Sequence, residues 1–209
     1  MCERFAGLQK MSNLAAIVLA AGESKRMAGR HKLLLPLAGK TMIAWTVEAI
    51  LAAGLDDVIV VLGHEAAAVQ KTLNKKPVRF ALNPNYRRGM ASSIQAGLAA
   101  LAPQTQIIMI ALADQPLVTA AEINFMIAEF SHVPEKTIGV PTFNGQRGHP
   151  VLLDLRYREE MLALQGDVGC KSILARYPEA VFEIAMPARN ILEDADTPEA
   201  YARLSALLK

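Results

Sequence analysis

Short apolar runs separated by more polar segments recur along this chain of 209 residues. Each run is only a few residues long, and the first four are rich in valine, isoleucine or leucine. Continuous apolar runs of this length are typical of strands that are buried on both faces of a sheet. We therefore predict strands over residues 15–19, 58–62, 78–82, 107–112 and 137–140.

Helical spacing of apolar residues marks the segments between these runs. In residues 42–53, Ile43, Val47 and Ile50 fall on one side of a helix. Similar spacing predicts helices over residues 65–73, 91–101 and 120–130. Strands that alternate with helices indicate a parallel or mostly parallel sheet covered by helices, with ligands bound at the carboxyl ends of the strands.

The pattern changes beyond Pro141. Residues 145–148 predict a hairpin turn between strands at 137–143 and 151–154, followed by helical pieces and short strands. The sequence contains no internal repeat and no low-complexity tract. We predict a single domain over residues 14–209, preceded by an N-terminal extension over residues 1–13 that is predicted to be disordered, with Met11 as an alternative start.

Composition and charge exclude several classes of protein. Hydrophobic residues make up 52% of the chain, which is enough for a sizeable core, and the net charge of +2 is too small to favour nucleic acid as a partner. Cys2 and Cys170 lie far apart without metal-ligand spacing, so neither a disulfide nor a zinc site is predicted. No apolar run is long enough for a membrane span. A cytoplasmic enzyme without membrane contact is the expectation.

The loop after the first apolar run carries the strongest chemical signal. Residues 19–32 combine small residues and two glycines with several cations. Small residues allow backbone N–H groups to approach phosphate oxygens, and Arg26 and Lys32 supply counter-charge. We predict a nucleotide phosphate site here, with a basic surface turn as the alternative interpretation.

Two better-known nucleotide motifs fail. Ala38-Gly39-Lys40-Thr41 imitates the end of a Walker sequence, but Leu34 stands where the motif requires glycine. The first loop also lacks the Gly-x-Gly-x-x-Gly pattern of nicotinamide dinucleotide folds.

Asp114 follows the apolar run at 107–112 and precedes Pro116. A carboxylate at the end of a buried strand is placed to hold a magnesium ion, which needs only one or two protein carboxylates when phosphates and water complete its octahedron. The alternative is that Asp114 binds backbone N–H groups of its own turn.

Further polar turns have two interpretations each. Ser92 and Ser93 either cap the helix that follows them or contact a base or sugar. His149 is either a ligand contact or a turn histidine, and Asp196 with Pro198 is also typical of a helix start.

Eight short motifs carry a resemblance to a known family, whose matching segments extend in order from residue 14 to residue 207. They are Leu-Ala-Ala-Gly at 19–22, Arg-Met at 26–27, Lys-Leu-Leu-Leu-Pro-Leu at 32–37, Gly-Met-Ala-Ser-Ser at 89–93, Leu-Ala-Asp-Gln-Pro at 112–116, Gly-His-Pro at 148–150, Gly-Asp-Val-Gly at 166–169 and Asp-Ala-Asp-Thr-Pro at 194–198. Together they resemble the MobA-like nucleotidyltransferases, and within these the molybdenum cofactor cytidylyltransferases of the MocA type. The chain departs from the family at Ala28, where glycine is usual, and at Cys170-Lys171, where Ala-Arg is usual.

The resemblance implies a three-layer, doubly wound, mostly parallel α/β sheet of the Rossmann-like nucleotidyltransferase type. It also implies Mg²⁺-dependent transfer of CMP from CTP to the terminal phosphate of the molybdenum-pterin cofactor, with release of pyrophosphate, and a client molybdenum enzyme as a partner. The nucleotide-binding half would span about residues 14–118 and the acceptor-binding half about 119–209.

The resemblance assigns roles residue by residue. Lys32 and Arg26 would hold the β and γ phosphates, and Asp114 would bind Mg²⁺ against the α-phosphate. Nucleotide contacts would come from Leu19, Ala20, Ala21, Gly22, Arg26, Lys32, Gly89, Met90, Ser92 and Ser93. Acceptor contacts would come from His149, Gly166, Asp167, Gly169, Asp194 and Asp196, with Asp194 or Asp196 as a second metal or substrate contact.

Three questions of function stay open at this point. Ala21 stands where guanylyl-transferring relatives usually carry a second glycine, which favours CTP over GTP. The acceptor is a pterin or, alternatively, a sugar or polyol phosphate. A non-catalytic carrier of the pterin cofactor is the alternative from another class, although a carrier has no need of the triphosphate clamp that Lys32 and Asp114 indicate.

Overall fold

A computed structural model describes residues 13–27, 29–55 and 57–208. The strands are β1 (Leu14–Ala20), β2 (Pro36–Leu37), β3 (Lys40–Thr41), β4 (Asp57–Leu62), β5 (Arg79–Leu82), β6 (Ile107–Leu112), β7 (Ile138–Phe143), β8 (Gln146–Arg147), β9 (Val151–Asp154) and β10 (Val181–Ala185). The helices are α1 (Met42–Ala52), α2 (Ala66–Leu73), α3 (Met90–Ala99), α4 (Ala120–Ser131), α5 (Arg158–Leu162), α6 (Lys171–Arg176) and α7 (Pro198–Leu207). The departure at Ala28 and the predicted extension, apart from Asn13, lie outside the described residues.

The predicted strands and helices are confirmed, with ends that shift by at most a few residues. Helix α4 begins with a capping box, in which Thr119 Oγ1 accepts a hydrogen bond from Glu122 N while the Glu122 side chain accepts one from Thr119 N. The predicted chain reversal after β7 is also present. Its tight turn lies one position earlier than predicted. Asn144 and Gly145 form this turn with positive φ between β7 and β8.

One sheet runs through the molecule in the strand order β10-β7-β9-β6-β1-β4-β5, and β8 pairs with β7 outside this path. Strand β1 pairs in parallel with both β4 and β6. Strand β9 is antiparallel to its neighbours β6 and β7, so it is the one strand of the path that runs against the others. The sheet is therefore mostly parallel, as predicted.

Helices cover both faces of this sheet, which makes the three predicted layers. Apolar residues of α1, α2 and α4 pack on one face, against side chains such as Val18 and Val60. Residues of α3, α5 and α6 pack on the other face, against side chains such as Ile17 and Ile110. The contact of α3 with β1 is close, because a Cβ atom at Gly97 would lie 2.4 Å from Ile17 Cγ2.

A small third core joins the C-terminal helix to the hairpin of β2 and β3. It contains Leu37, Met42, Ala195 and Leu204. The Tyr201 hydroxyl on α7 donates to the carbonyl of Pro36, which adds a polar tie across the same contact. Helix α7 thereby brings the segment before it to the carboxyl ends of β1 and β6.

No helix in the described part of the chain is both long and apolar enough to cross a membrane; the longest, α4, has 12 residues.

Candidate functional site

A cavity of about 660 Å³ opens at the carboxyl ends of β1 and β6. Its size is within the range of small-molecule binding pockets. Three walls enclose it: the loop after β1, the turn before α3, and the ends of β6 and of the segment before α7. The lining residues are Leu19, Ala20, Ala21, Gly22, Glu23, Ser24, Lys25, Arg26, Lys32, Leu33, Tyr86, Arg87, Arg88, Gly89, Met90, Ser93, Leu112, Asp114, Gly166, Asp167, Asp194 and Asp196.

The loop after β1 is held in place by its own residues. Met27 is completely buried and anchors the middle of the loop, and its N–H donates to the carbonyl of Ser24. The Ser24 hydroxyl accepts a hydrogen bond of 3.2 Å from the Lys32 backbone N–H. This bond closes the loop and sets where the Lys32 side chain enters the cavity.

An ion-pair network forms the floor of the cavity. Lys32 Nζ donates to Asp114 Oδ2 and, at 2.6 Å, to Asp196 Oδ1. Arg26 donates to the second oxygen of Asp196. Four side chains from three separate segments of the chain thus form one connected cluster.

Burial and charge shift the pKa values of this cluster in opposite directions. Burial opposes the charged form of Lys32, but the attraction of Asp114 and the hydrogen bonds to both carboxylates outweigh it and raise the Lys32 pKa. Burial also opposes the charged form of Asp196, yet its contacts with Lys32 and Arg26 lower its pKa. Asp194 differs, because burial and the negative charges of Asp196 and Asp114 raise its pKa. The cavity floor therefore has negative charge that its own cations do not fully compensate.

Buried hydrogen bonds fix the two segments that carry the carboxylates. Next to Asp114, the carbonyl of Ala113 accepts a hydrogen bond of 3.2 Å from the buried Thr46 hydroxyl. Gln115 Nε2 donates at 2.9 Å to the carbonyl of Ile191. This second bond ties the Asp114 turn to the segment that leads into Asp194 and Asp196.

The turn before α3 is organised by Asn83, which follows the end of β5. Asn83 Nδ2 donates to the hydroxyls of Ser92 at 2.9 Å and Ser93 at 3.1 Å. The Ser92 hydroxyl in turn donates to the carbonyl of Gly89 at 2.8 Å. The hydrogen bonds of the Ser92 hydroxyl therefore lie within the turn, whereas Ser93 lines the cavity.

The loop at residues 166–169 closes against the start of α3. The Gly166 carbonyl accepts a hydrogen bond of 3.1 Å from Ala91 N, and Asp167 Oδ1 accepts one of 3.2 Å from Met90 N. Gly89 has φ of +96°, and a Cβ atom there would lie 2.4 Å from the Gly166 carbonyl carbon. Both its conformation and its surroundings thus require glycine.

Among the residues assigned by resemblance, three lie outside the cavity lining: Ser92, His149 and Gly169. His149 is mostly enclosed by protein, and burial lowers its pKa, although the backbone of Ile110 and the nearby charge of Asp114 favour its protonated form. Its Nδ1 atom is buried without a hydrogen-bond partner among the described residues. Gly169 lies behind the wall, where a Cβ atom would be 3.0 Å from Met90 Sδ.

Several lining residues were not predicted from the sequence. Glu23, Lys25 and Arg87 form a second ion-pair group at the mouth, where Glu23 contacts each cation at 3.2 Å. Asn83, which organises the turn from behind the lining, follows a strand end as Asp114 does, although β5 is only partly buried. Tyr86 and Arg88 gave no comparable signal, since their positions depend on the short turn between β5 and α3.

The carboxylates fit a divalent metal ion. In the described part of the chain no three His, Cys, Asp or Glu side chains are arranged to hold an ion on their own. Asp114 and Asp196, however, already contact one cationic group between them, the ammonium of Lys32. A hard divalent ion bound with a triphosphate needs no more than one or two such oxygen ligands from the protein.

Comparison with known proteins agrees with this geometry. The model of the MobA-like NTP transferase domain matches residues 16–181. A nucleotidyl transferase from Methanothermobacter thermautotrophicus superimposes with a TM-score of 0.82 and 27% identity, over 94% of this chain and 98% of that one. The Rv0371c protein of Mycobacterium tuberculosis, solved in complex with manganese, gives a TM-score of 0.77 and 27% identity over 93% and 99% of the two chains.

A relative named for a different activity is also similar over nearly its full length. The nicotine blue oxidoreductase of Paenarthrobacter nicotinovorans is 32% identical over 199 residues, which cover 91% of this chain and 96% of that protein. The family model, the fold and the cavity agree nonetheless. On this evidence the chain is a nucleotidyltransferase and belongs to the MobA-like NTP transferase family.

Proposed function

We propose that the protein transfers CMP from CTP to the terminal phosphate of a molybdenum-pterin cofactor and releases pyrophosphate. The observation that carries the proposal is the contact of Lys32 with both Asp114 and Asp196 at the floor of the cavity. A cation and two carboxylates in contact match a triphosphate bound together with a metal ion. The choice of CTP and of a pterin acceptor is supported by the eight motifs of the sequence.

The residues of the floor would divide the work of binding the triphosphate. Lys32 and Arg26 would hold the β and γ phosphates and balance the charge on the departing pyrophosphate. Asp114, with Asp196 or Asp194, would hold a magnesium ion. When bound, the ion neutralises charge at the α-phosphate and orients it.

The reaction forms one bond and breaks another. An acceptor phosphate oxygen bonds to the α-phosphorus, and the bond from that phosphorus to the bridging β-oxygen breaks. The acceptor phosphate is already ionised at neutral pH, so no side chain has to remove a proton from it. This fits a cavity whose described lining contains no histidine. Positioning and charge neutralisation then supply most of the rate.

Base and ribose would lie between the first loop and the turn before α3. Backbone at residues 19–22 and the group at Gly89, Met90 and Ser93 form the two walls. Ala21 is almost fully buried, and a Cβ atom at Gly63 would lie 2.7 Å from its methyl group. The Ala21 methyl thus packs inside the wall against Gly63 and would hold this wall close to the base. We expect CTP to be preferred over GTP by about tenfold, since steric exclusion of this kind contributes about 1 to 3 kcal/mol.

Acceptor contacts would come from Gly166 and Asp167, and from His149 and Gly169 if the wall behind them opens. A sugar or polyol phosphate is the alternative acceptor, because the floor recognises phosphate groups and not the rest of the molecule. Delivery to a client molybdenum enzyme would follow from a pterin acceptor.

A second candidate function is a redox reaction, which the full-length similarity to the nicotine blue oxidoreductase favours. The two candidates differ in what they release. One experiment separates them: pyrophosphate release is measured with CTP, GTP and ATP, each with and without the molybdenum-pterin cofactor, alongside oxidation of NADH and NADPH with a quinone-like dye. Pyrophosphate release that depends on CTP, Mg²⁺ and the pterin supports the proposal. Oxidation of NADH or NADPH without pyrophosphate release from any nucleotide contradicts the proposed nucleotidyl transfer.

A further inference from the structure

A single ammonium group joins the two carboxylates at the cavity floor. Lys32 Nζ bonds both Asp114 and Asp196, and the Lys32 and Asp114 side chains are only 16% and 11% exposed. Water reaches these groups in part only, so their charges are weakly screened. In this state a cation already occupies the space between the carboxylates.

The proposed reaction needs both partners of these ion pairs for other contacts. Its triphosphate needs the ammonium of Lys32, and its divalent ion needs the oxygens of Asp114 and Asp196. A divalent ion that bound while Lys32 stayed in place would share those oxygens with a like charge. A triphosphate that approached while Lys32 stayed in place would lack the cation best placed to meet it.

Arg26 does not face the same conflict. It contacts Asp196 alone, and its side chain is 68% exposed. It can therefore turn toward a phosphate without leaving Asp114 uncompensated. The conflict rests on Lys32, because Lys32 is the group that contacts both carboxylates.

We propose that Lys32 is a resident counter-ion for Asp114 and Asp196, and that the divalent metal ion replaces it only when a triphosphate draws the ammonium away. This inference rests on the proposed nucleotidyl transfer. It makes metal binding conditional on nucleotide, because each ligand removes an obstacle for the other. Coupling between two binding events is reciprocal and typically changes affinity by about 5- to 150-fold.

The test is Mn²⁺ binding to the free protein, measured by electron paramagnetic resonance without nucleotide or acceptor. Lys32→Met keeps the unbranched side chain up to its last atom and removes the ammonium. We expect it to bind Mn²⁺ at least about tenfold more tightly than wild type. Lys25→Met is the matched control, because Lys25 lines the same cavity and pairs with Glu23 at its mouth. It removes the same charge and should leave the Mn²⁺ affinity within about twofold.

Two further variants identify the site and guard against misfolding. Asp114→Asn in the Lys32→Met background should abolish the gain in affinity, which locates the ion at the cavity floor. Lys32→Arg retains a cation and should bind Mn²⁺ as weakly as wild type does. Lys32→Gln replaces Lys32→Met where circular dichroism shows that the latter is unfolded.

The proposed replacement of Lys32 by the metal ion would be overturned if Lys32→Met and Lys32→Gln bound Mn²⁺ no more tightly than wild type. An equal gain in affinity in Lys25→Met would overturn it as well. The assay contains no CTP and no acceptor, so its result is independent of pyrophosphate release. A protein that releases no pyrophosphate but shows the gain contradicts the proposed reaction alone. If the protein releases pyrophosphate but Lys32→Met gains no Mn²⁺ affinity, only the replacement of Lys32 by the metal ion is contradicted.

Discussion

Replacing Asp114 by asparagine changes one charge at the centre of the site and little else. Asparagine keeps the shape of the side chain and one acceptor oxygen. The hydrogen bond from Thr46 goes to the carbonyl of Ala113 and does not depend on the carboxylate. Lys32 keeps its contact of 2.6 Å with Asp196, so the substitution does not leave the ammonium without a partner. We therefore expect the variant to fold with nearly wild-type stability.

The expected loss of activity is large because no other carboxylate can take over. Asp196 would already serve the ion as its second ligand, and burial raises the pKa of the Asp194 carboxyl, which opposes its charged form. Removing one preorganised electrostatic contact at a reacting group costs about 3 to 4 kcal/mol of transition-state stabilisation. That corresponds to a decrease in rate of about two to three orders of magnitude.

The assay is pyrophosphate release from CTP with saturating acceptor over a range of Mg²⁺ concentrations, with thermal melting as the check of folding. Asp57→Asn is the control, because Asp57 undergoes the same chemical change in an ion pair with Arg79 at the opposite end of the sheet. It should retain wild-type activity. Near wild-type turnover of Asp114→Asn at limiting Mg²⁺ would refute the reasoning and make Asp114 a turn-forming residue.

Three further predictions concern nucleotide binding and stability. Lys32→Ala should lower the melting temperature, because Asp114 and Asp196 lose their shared counter-ion, and should weaken CTP binding and slow transfer per folded molecule, which calorimetry and kinetics check; unchanged turnover per folded molecule would make Lys32 structural. Ala21→Gly should reduce the preference for CTP over GTP, about tenfold in the wild type, by widening the wall beside the base, and an unchanged kcat/KM ratio would contradict this. His149 has a lowered pKa in the folded state, so below about pH 6.5 the unfolded chain takes up the proton first and the folded state loses stability as pH falls. Urea unfolding between pH 6.5 and 5 should show this decrease, up to about 1.4 kcal/mol per pH unit, and His149→Gln should make it smaller.

The central part of the fold was predictable because its signals are local. The buried strands β1, β4 and β6 are short continuous apolar runs, and a parallel sheet leaves few other arrangements for such runs. The neighbours of β9 were predictable only in part. Its antiparallel pairing with β7 is confirmed, because the turn residues between the two segments indicate a hairpin. Its pairing with β6 depends on contacts between distant segments, and nothing in residues 151–154 alone selects that neighbour.

The candidate site was likewise predictable where its signals are local and not where they depend on distant contacts. Asp114 was found because a polar residue at the end of a buried strand must lie at the carboxyl edge of the sheet. The contact between Lys32 and Asp196 spans 164 positions of the chain, and it exists because α7 and Gln115 bring the last segment back to this edge. The burial of His149 could not be predicted from the sequence either, since it results from the packing of the region after Pro141 and not from its neighbours in sequence.

The continuity of the sheet limits how the enzyme can respond to its substrates. Strand β6 bonds β1 on one side and β9 on the other, so the two halves proposed to bind nucleotide and acceptor share one hydrogen-bonded framework. Rotation of one half against the other would break that framework, which rules out hinge motion of two lobes as the way to enclose ligands. Enclosure has to come from the loop after β1 and the loop at residues 166–169. The free energy of closing would then be confined to a few loop contacts, and the distance between the two substrates would be set by the strands of one continuous sheet.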